Sequence, residues 1–391
     1  MVPVTKLIFV FSIVSMNQLQ MVDLKGQYQR LKPQIDAAMQ AVVDNTAFIN
    51  GPQVKTFSQN LAQYLQVNHV IPCANGTDAL QIALMALDLP AGGEVIVPAF
   101  NYVATAEVIA LLGLKPVFVD VLPDTFCIDP AKARLAVTER TVAIMPVHLF
   151  GQCAPMEEIM DLALAQELFV IEDNAQAIGA QYIDAEGGTS FAGTIGHIGT
   201  TSFFPSKNLG CMGDGGAIFT QDIDLASTLQ QIANHGQHKK YHYSRVGVNS
   251  RLDTLQAALL DVKLTQLDDF IYRRQKAAGV YDVFFAEVEQ IKIPSLAPYS
   301  SHVFHQYTLQ VPAEQRDALK AYLQEKGIPS MVYYPLPLHL HEAYAYLGYK
   351  AGDFPVSEEL CHKVISLPMH TELTEEQQNY ISEAVVGFFK S

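Results

Sequence analysis

The sequence predicts an α/β protein: a mostly parallel seven-stranded sheet in a large domain, followed by a smaller C-terminal α/β domain. Two observations lead there. Seven short β-rich runs recur between residues 69 and 220, most of them separated by stretches with helical spacing, and this alternation builds a largely parallel sheet covered on both faces. Beyond residue 250 the pattern changes to a long leucine-rich, charged helix and then a mixed segment, in a 391-residue chain that exceeds the usual size of one core. Apolar residues at 49% against 17% charged, with no low-complexity tract, supply the core and exclude a disordered adaptor.

Residues 28–45 and 54–66 carry apolar side chains at helical spacing, and Phe48-Ile49-Asn50-Gly51-Pro52 between them reads as a turn. Strands are predicted at His69–Cys73, Glu94–Pro98, Pro116–Asp120, Thr141–Pro146, Phe169–Asp173, Thr200–Phe204 and Gly216–Thr220. One helix from Leu252 to about Val283 forms the bridge to the second domain. There, Gln306–Val311 and Ser330–Tyr334 read as strands, and 315–326 and 374–389 as helices. The division is therefore 21–270 for the large domain with its N-terminal helices and 271–391 for the small one. Residues 1–20 stand apart. Lys6 and the run Leu7 to Val14 resemble a signal-peptide core, yet the run is too short to span a bilayer and no small-x-small site follows. They read as a non-native or disordered extension, with Met16 or Met21 as a natural start.

A formal charge of −15 disfavours nucleic acid as a partner, so an anionic ligand must rely on a local cluster of Lys and Arg. Cys73, Cys127, Cys153, Cys211 and Cys361 are odd in number and contain no Cys-x-x-Cys pair, which fits reduced thiols in a cytoplasmic protein. The histidines show no zincin spacing, so no metal site is expected.

The chemistry gathers around Lys207, in Thr201-Ser202-Phe203-Phe204-Pro205-Ser206-Lys207, with a Gly-rich run from Gly210 to Gly216 after it and Asp173 before it. An amine able to form a Schiff base, an acid able to keep a pyridine nitrogen protonated, and small residues where backbone meets a ring are what pyridoxal 5'-phosphate requires. Phe203, Phe204 and Pro205 give the amine an apolar setting, which depresses its pKa. Asp173 ends the apolar strand Phe169-Val170-Ile171, where a carboxylate calls for a cationic partner. Between strand and helix, Asn75-Gly76-Thr77 offers free backbone amides and a hydroxyl to a phosphate. Tyr102 follows the strand Glu94–Pro98 and can stack on a ring, with a packed core tyrosine as the competing reading. Gln176 can reach a ring hydroxyl or merely start a helix.

These motifs, with Asn249-Ser250-Arg251-Leu252-Asp253, resemble the DegT/DnrJ/EryC1/StrS sugar aminotransferases from about residue 21 to 390. The resemblance implies the type I, aspartate aminotransferase-like fold of pyridoxal phosphate enzymes. It makes Lys207 the Schiff-base lysine and Asp173 the partner of the ring nitrogen. Tyr102 would stack on the ring and Gln176 approach its oxygen, while Gly76, Thr77 and Ser202 bind phosphate. Asn249 would come from the second subunit of a homodimer. Asn174 stands where the family usually has a small residue. Because Lys207 is retained where some relatives carry histidine, the resemblance implies transamination, with L-glutamate as the usual donor.

The densest positive cluster runs from His235 to Arg245, with Arg251 after it, and such donors suit a nucleotide-sugar pyrophosphate. Within the family the chain is most similar to aminotransferases acting on UDP-2-acetamido-3-oxo-glucuronate, which implies that Arg251 meets the sugar carboxylate. Tyr333 and Tyr334 resemble the substrate-side loop, although some uronate-acting relatives carry histidine in place of Tyr333. His370 is a further candidate sugar contact. An aminotransferase for a dTDP- or UDP-4-keto-6-deoxy sugar, and a non-catalytic regulatory homologue, remain as alternatives.

Overall fold

The computed structural model describes residues 19–390. Two helices come first: α1 (Leu24–Asn45), whose N-cap Asp23 accepts the Gly26 amide at 2.8 Å, and α2 (Pro52–Leu65), which opens on a proline where no amide partner is needed. There follow β1 (His69–Cys73), α3 (Gly76–Ala86), β2 (Glu94–Pro98), α4 (Ala104–Leu111), β3 (Lys115–Val119), α5 (Pro130–Leu135), β4 (Thr141–Ile144), α6 (Met156–Ala165) and β5 (Phe169–Asp173). A small hairpin, β6 (Gln181–Ile183) with β7 (Thr189–Phe191), precedes β8 (Ile198–Ser202), β9 (Gly216–Thr220) and α7 (Ile223–Ala233). A second hairpin, β10 (Gln237–Lys239) with β11 (His242–Tyr243), carries the basic cluster and leads to α8 (Thr254–Leu264) and α9 (Leu267–Phe285). The chain ends in β12 (Tyr307–Gln310), α10 (Ala313–Glu325), α11 (Pro355–Lys363), β13 (Val364–Leu367) and α12 (Glu375–Lys390).

The seven-stranded sheet has the order β1-β9-β8-β5-β4-β2-β3. β9 runs antiparallel to both neighbours while the other pairings are parallel, so six strands share one direction. All seven predicted strands form, with ends within two residues of expectation. The continuous burial of the inner strands, as in Glu94–Pro98 and Gly216–Thr220, explains why apolar runs rather than alternation marked them. Helix α3 packs with α4 and α7 on one face, and α1 and α2 pack on α8 on the other.

Four expectations are corrected. The helix expected from Leu252 to Val283 is two helices. Thr265 turns its hydroxyl back to the Val262 carbonyl at 2.8 Å, and Gln266, at φ −110°, leaves the helical path. Ser330–Tyr334 is not a strand: only Met331 bridges, to Ser366, and Pro335 and Pro337 prevent a longer ladder. Residues 19 and 20, expected in the extension, belong to the folded body. Leu19 is buried in the C-terminal core and the Met21 carbonyl accepts the Met369 amide at 3.1 Å. Residues 1–18 lie outside the described part. The boundary expected at 270 falls inside continuous α9, whose first turn packs with α1, α2 and α8 and whose later turns, from Ala277 to Phe285, pack with β12 and β13. All five cysteines are buried free thiols, and among the described residues no helix is long and apolar enough to cross a membrane.

Candidate active site

Because six strands point one way, their carboxyl ends meet at one edge of the sheet, where an open α/β fold gathers its ligands. Asp173 ends β5, Ser202 ends β8, and Asn75 and Tyr102 follow β1 and β2. Reversed β9 begins at the same edge, with Gly216 in register with both Ser202 and Cys73. Asp173, Ser202, Asn75 and Tyr102 line a cleft of about 520 Å³ that also takes in Lys207, Tyr333 and Tyr334.

One end of the cleft is a phosphate-sized cradle. Asn75 caps α3 through its Oδ1, which accepts the Asp78 amide at 2.8 Å. The Gly76 and Thr77 amides, in the first helical turn, have no intrahelical acceptor and face the positive end of the helix dipole. A Cβ on Gly76 would stand 2.7 Å from the Ser202 Cβ, and one on Gly216 would stand 2.4 Å from the Asn75 carbonyl oxygen. Glycine at both positions lets the helix start sit directly on the end of β8.

At the other end Asp173 is 6% exposed and accepts the Ala175 amide through Oδ1 at 2.9 Å. Burial pushes its carboxyl pKa up, against the opposing pull of that amide and of Lys207. Burial likewise pulls the Lys207 ammonium down to about 8, while Asp173 works to raise it. A buried acid with an unspent oxygen, an amine driven toward its neutral form and a cradle of free amides fit the ring nitrogen, aldehyde and phosphate of pyridoxal phosphate.

Sequence reasoning misses what holds this acid. Glu172, fully buried behind Asp173, accepts the amides of Gly193 and Ile195 at 2.9 and 2.7 Å and pairs with the His148 Nε2 at 2.8 Å. The Ala154 amide donates to His148 Nδ1 at 3.0 Å, which places the ring proton on Nε2, toward Glu172. The His148 amide binds the Asp173 carbonyl, and the Asp173 amide binds the Pro146 carbonyl. Asn174 donates to the Ala192 carbonyl at 2.7 Å, so its amide fastens the same turn that Glu172 holds. A histidine and a glutamate in otherwise apolar surroundings were the available signal. Gln176 accepts the Phe150 amide at 2.8 Å and donates to the Tyr334 hydroxyl at 3.1 Å, which orients both side chains over the cleft. Tyr102, 56% exposed, has its ring 6.3 Å from that of Tyr334.

Three candidates lie elsewhere. Asn249 is exposed beyond the cleft, and Arg251 lines a separate depression of about 360 Å³ with Asn50, Gly51 and Lys55. His370 is buried beside a groove against α9, where its Nδ1 accepts the Glu372 amide at 3.3 Å and burial pulls its pKa down to about 4. The structure therefore does not bring His370 into the cleft with Lys207 and Asp173.

Fold and cradle together define a pyridoxal-phosphate enzyme. The signature of the DegT/DnrJ/EryC1/StrS aminotransferase family matches residues 29–386, and the chain belongs to that family. It is 47% identical to the "Pleiotropic regulatory protein" of Geobacillus stearothermophilus, over 95% of this chain and 98% of the relative. It is 46% identical to the UDP-2-acetamido-2-deoxy-3-oxo-D-glucuronate aminotransferase of Pseudomonas aeruginosa, over 91% and 96% of the two chains. Identity to the dTDP-3-amino-3,4,6-trideoxy-alpha-D-glucose transaminase of Streptomyces venezuelae is 38%, over 93% and 94%. Among solved structures, NtdA from Bacillus subtilis with bound cofactor PMP superposes with a TM-score of 0.89 at 32% identity, covering 96% of this chain and 86% of that one.

Proposed function

We propose that the protein transfers the amino group of L-glutamate to a keto nucleotide sugar, UDP-2-acetamido-2-deoxy-3-oxo-glucuronate, in bacterial surface-polysaccharide synthesis. The observation that carries the chemistry is the placement of Lys207 and Asp173 in one cleft, beside a cradle of free amides. When bound, pyridoxal phosphate supplies the electron sink for the substrate's Cα–H bond. Lys207 would hold the cofactor through its Nζ, and once freed by the incoming amine that same Nζ would serve as the base that takes the substrate's proton and as the acid that returns it. Its depressed pKa, about 8, keeps a share of that amine neutral and nucleophilic near neutral pH. Asp173 would hold a proton on the ring nitrogen, Gly76, Thr77 and Ser202 would bind the phosphate, Tyr102 would stack on the ring, and the second N–H of Gln176 Nε2 would be available to the ring oxygen.

The position of Asn249 and Arg251 outside this chain's own cleft supports a homodimer in which each subunit lends both residues to its partner's site. Arg251 then grips the sugar carboxylate, with Tyr333 and Tyr334 on the substrate side. The Pseudomonas relative supports the acidic 3-oxo sugar. The Streptomyces relative favours a dTDP sugar instead, which would use the same cofactor residues. The Geobacillus relative is named as a regulator, but a ligand-binding regulator needs neither Lys207 nor Asp173.

The test is to load the holoenzyme with L-glutamate, add the UDP-3-oxo-uronate made in situ, and follow cofactor absorbance. Return of the visible band supports transamination and the acidic sugar together. A glutamate-dependent loss of the band with no return on this sugar, but return on a dTDP-keto sugar, overturns the substrate while keeping the chemistry.

A further inference from the structure

The helix pair α8 and α9 buries two cations, and neither forms an ion pair among the described residues. Arg274, 2% exposed, donates to the carbonyls of Phe304, His305 and Met369. Lys263, 3% exposed, points Nζ at the Gly210 carbonyl, 2.7 Å away. A buried ammonium without a carboxylate is unfavourable, and burial pulls this one down to about 8.

What Lys263 holds gives it a use. The Cys211 amide donates to the Phe203 carbonyl and the Phe203 amide to the Gly215 carbonyl, both at 2.7 Å, so residues 203–215 close into a loop that carries Lys207. Helix α8 grips this loop at a second point, where Gln256 accepts the Met212 amide at 2.9 Å and donates to the Met212 carbonyl at 3.1 Å. Asn208 ties the loop to the Val303 carbonyl at 3.0 Å. Lys207 stands between Asn208 and the Phe204 carbonyl, which accepts its amide at 2.8 Å. Its side chain is therefore aimed by the loop, and the loop is shaped from α8.

We propose that Lys263 is a positioning residue for Lys207, tethering the Gly210 carbonyl so that the loop presents the Lys207 amine to the cleft. The proposal rests on the reading of Lys207 as the cofactor-bonding amine. A misplacement of about 1 Å in a reacting group costs on the order of 100-fold in rate.

Holoenzyme is prepared as wild type, Lys207→Ala, Lys263→Met and Lys263→Gln, and the L-glutamate half-reaction is timed by absorbance per bound cofactor. Survival of the lysine-dependent visible band in Lys207→Ala removes the underlying reading, and the proposal with it. With that band lost, the Lys263 variants decide the proposal alone. Lys263→Met is expected to bind cofactor but to lose about 100-fold in kcat, with KM for glutamate within about twofold. Lys263→Gln keeps an N–H for Gly210 on a shorter, uncharged side chain and is expected to lose about 10-fold. Wild-type kcat in either variant, or equal losses in both, overturns the proposal. Should Lys263→Met fail to fold, Lys263→Gln carries the test: a 10-fold loss at constant KM supports the tether and wild-type kcat refutes it.

Discussion

Asp173 and Lys207 face each other across a cleft that favours the uncharged form of both. For Lys207 the folded pKa, about 8, lies below the ordinary 10.5, so between those values the unfolded chain holds more protons and stability rises with pH. Below about 8 the buried ammonium destabilises the cofactor-free protein. Cofactor-free Lys207→Met should accordingly be more stable than the cofactor-free parent at pH 7, by ~1–3 kcal/mol, and the difference should close between about pH 8 and 10.5. Urea midpoints across that range measure it; a pH-independent difference would sink the account. These two residues were legible because a charge at the end of an apolar strand, and an amine beside aromatic residues, are chemically conspicuous. Glu172 and His148 were not read, since their partners come from Gly193, Ile195 and Ala154, whose proximity only the fold creates.

At the scale of elements, the start of α3 is the part most exposed to a single methyl group. Gly76→Ala puts a Cβ 2.7 Å from the Ser202 Cβ, with the end of β8 directly behind it. The helix start must move off the strand, at a cost of ~1–3 kcal/mol, and its amides leave the cradle. Cofactor affinity should fall about tenfold or more while residual protein remains folded; unchanged affinity by titration with pyridoxal phosphate would place the phosphate elsewhere. The strands of the sheet were read well because runs such as Val95-Ile96-Val97 are buried on both faces. The break between α8 and α9 was not, because Thr265 and Gln266 are ordinary helix residues and no glycine or proline marks the site. Lys263 carried a signal that went unused. It lies one turn from Leu259 and Leu260 on a buried face, where a lysine is out of place.

For the whole molecule, a shared site makes a quantitative expectation. Lys207→Ala and Asn249→Ala proteins, each inactive or weak alone, are unfolded together and refolded as a mixture. In a statistical mixture half the dimers are mixed, and each mixed dimer contains one site with both residues intact. Roughly one quarter of wild-type activity should return; activity no greater than the average of the parents would show that Asn249 serves its own chain. The sheet order has a different consequence, for the time course of synthesis. β1 leaves the ribosome early, yet its only neighbour in the sheet is β9, and α1 and α2 have α8 as their main support. Until residues 216–264 have been made, the first two helices lack α8 and the first strand lacks its partner in the sheet. An early-made part of the protein thus waits for a much later one, and a nascent chain halted before Gly216 leaves Val70 and Ile71 on an open strand edge, available to chaperones and to other chains.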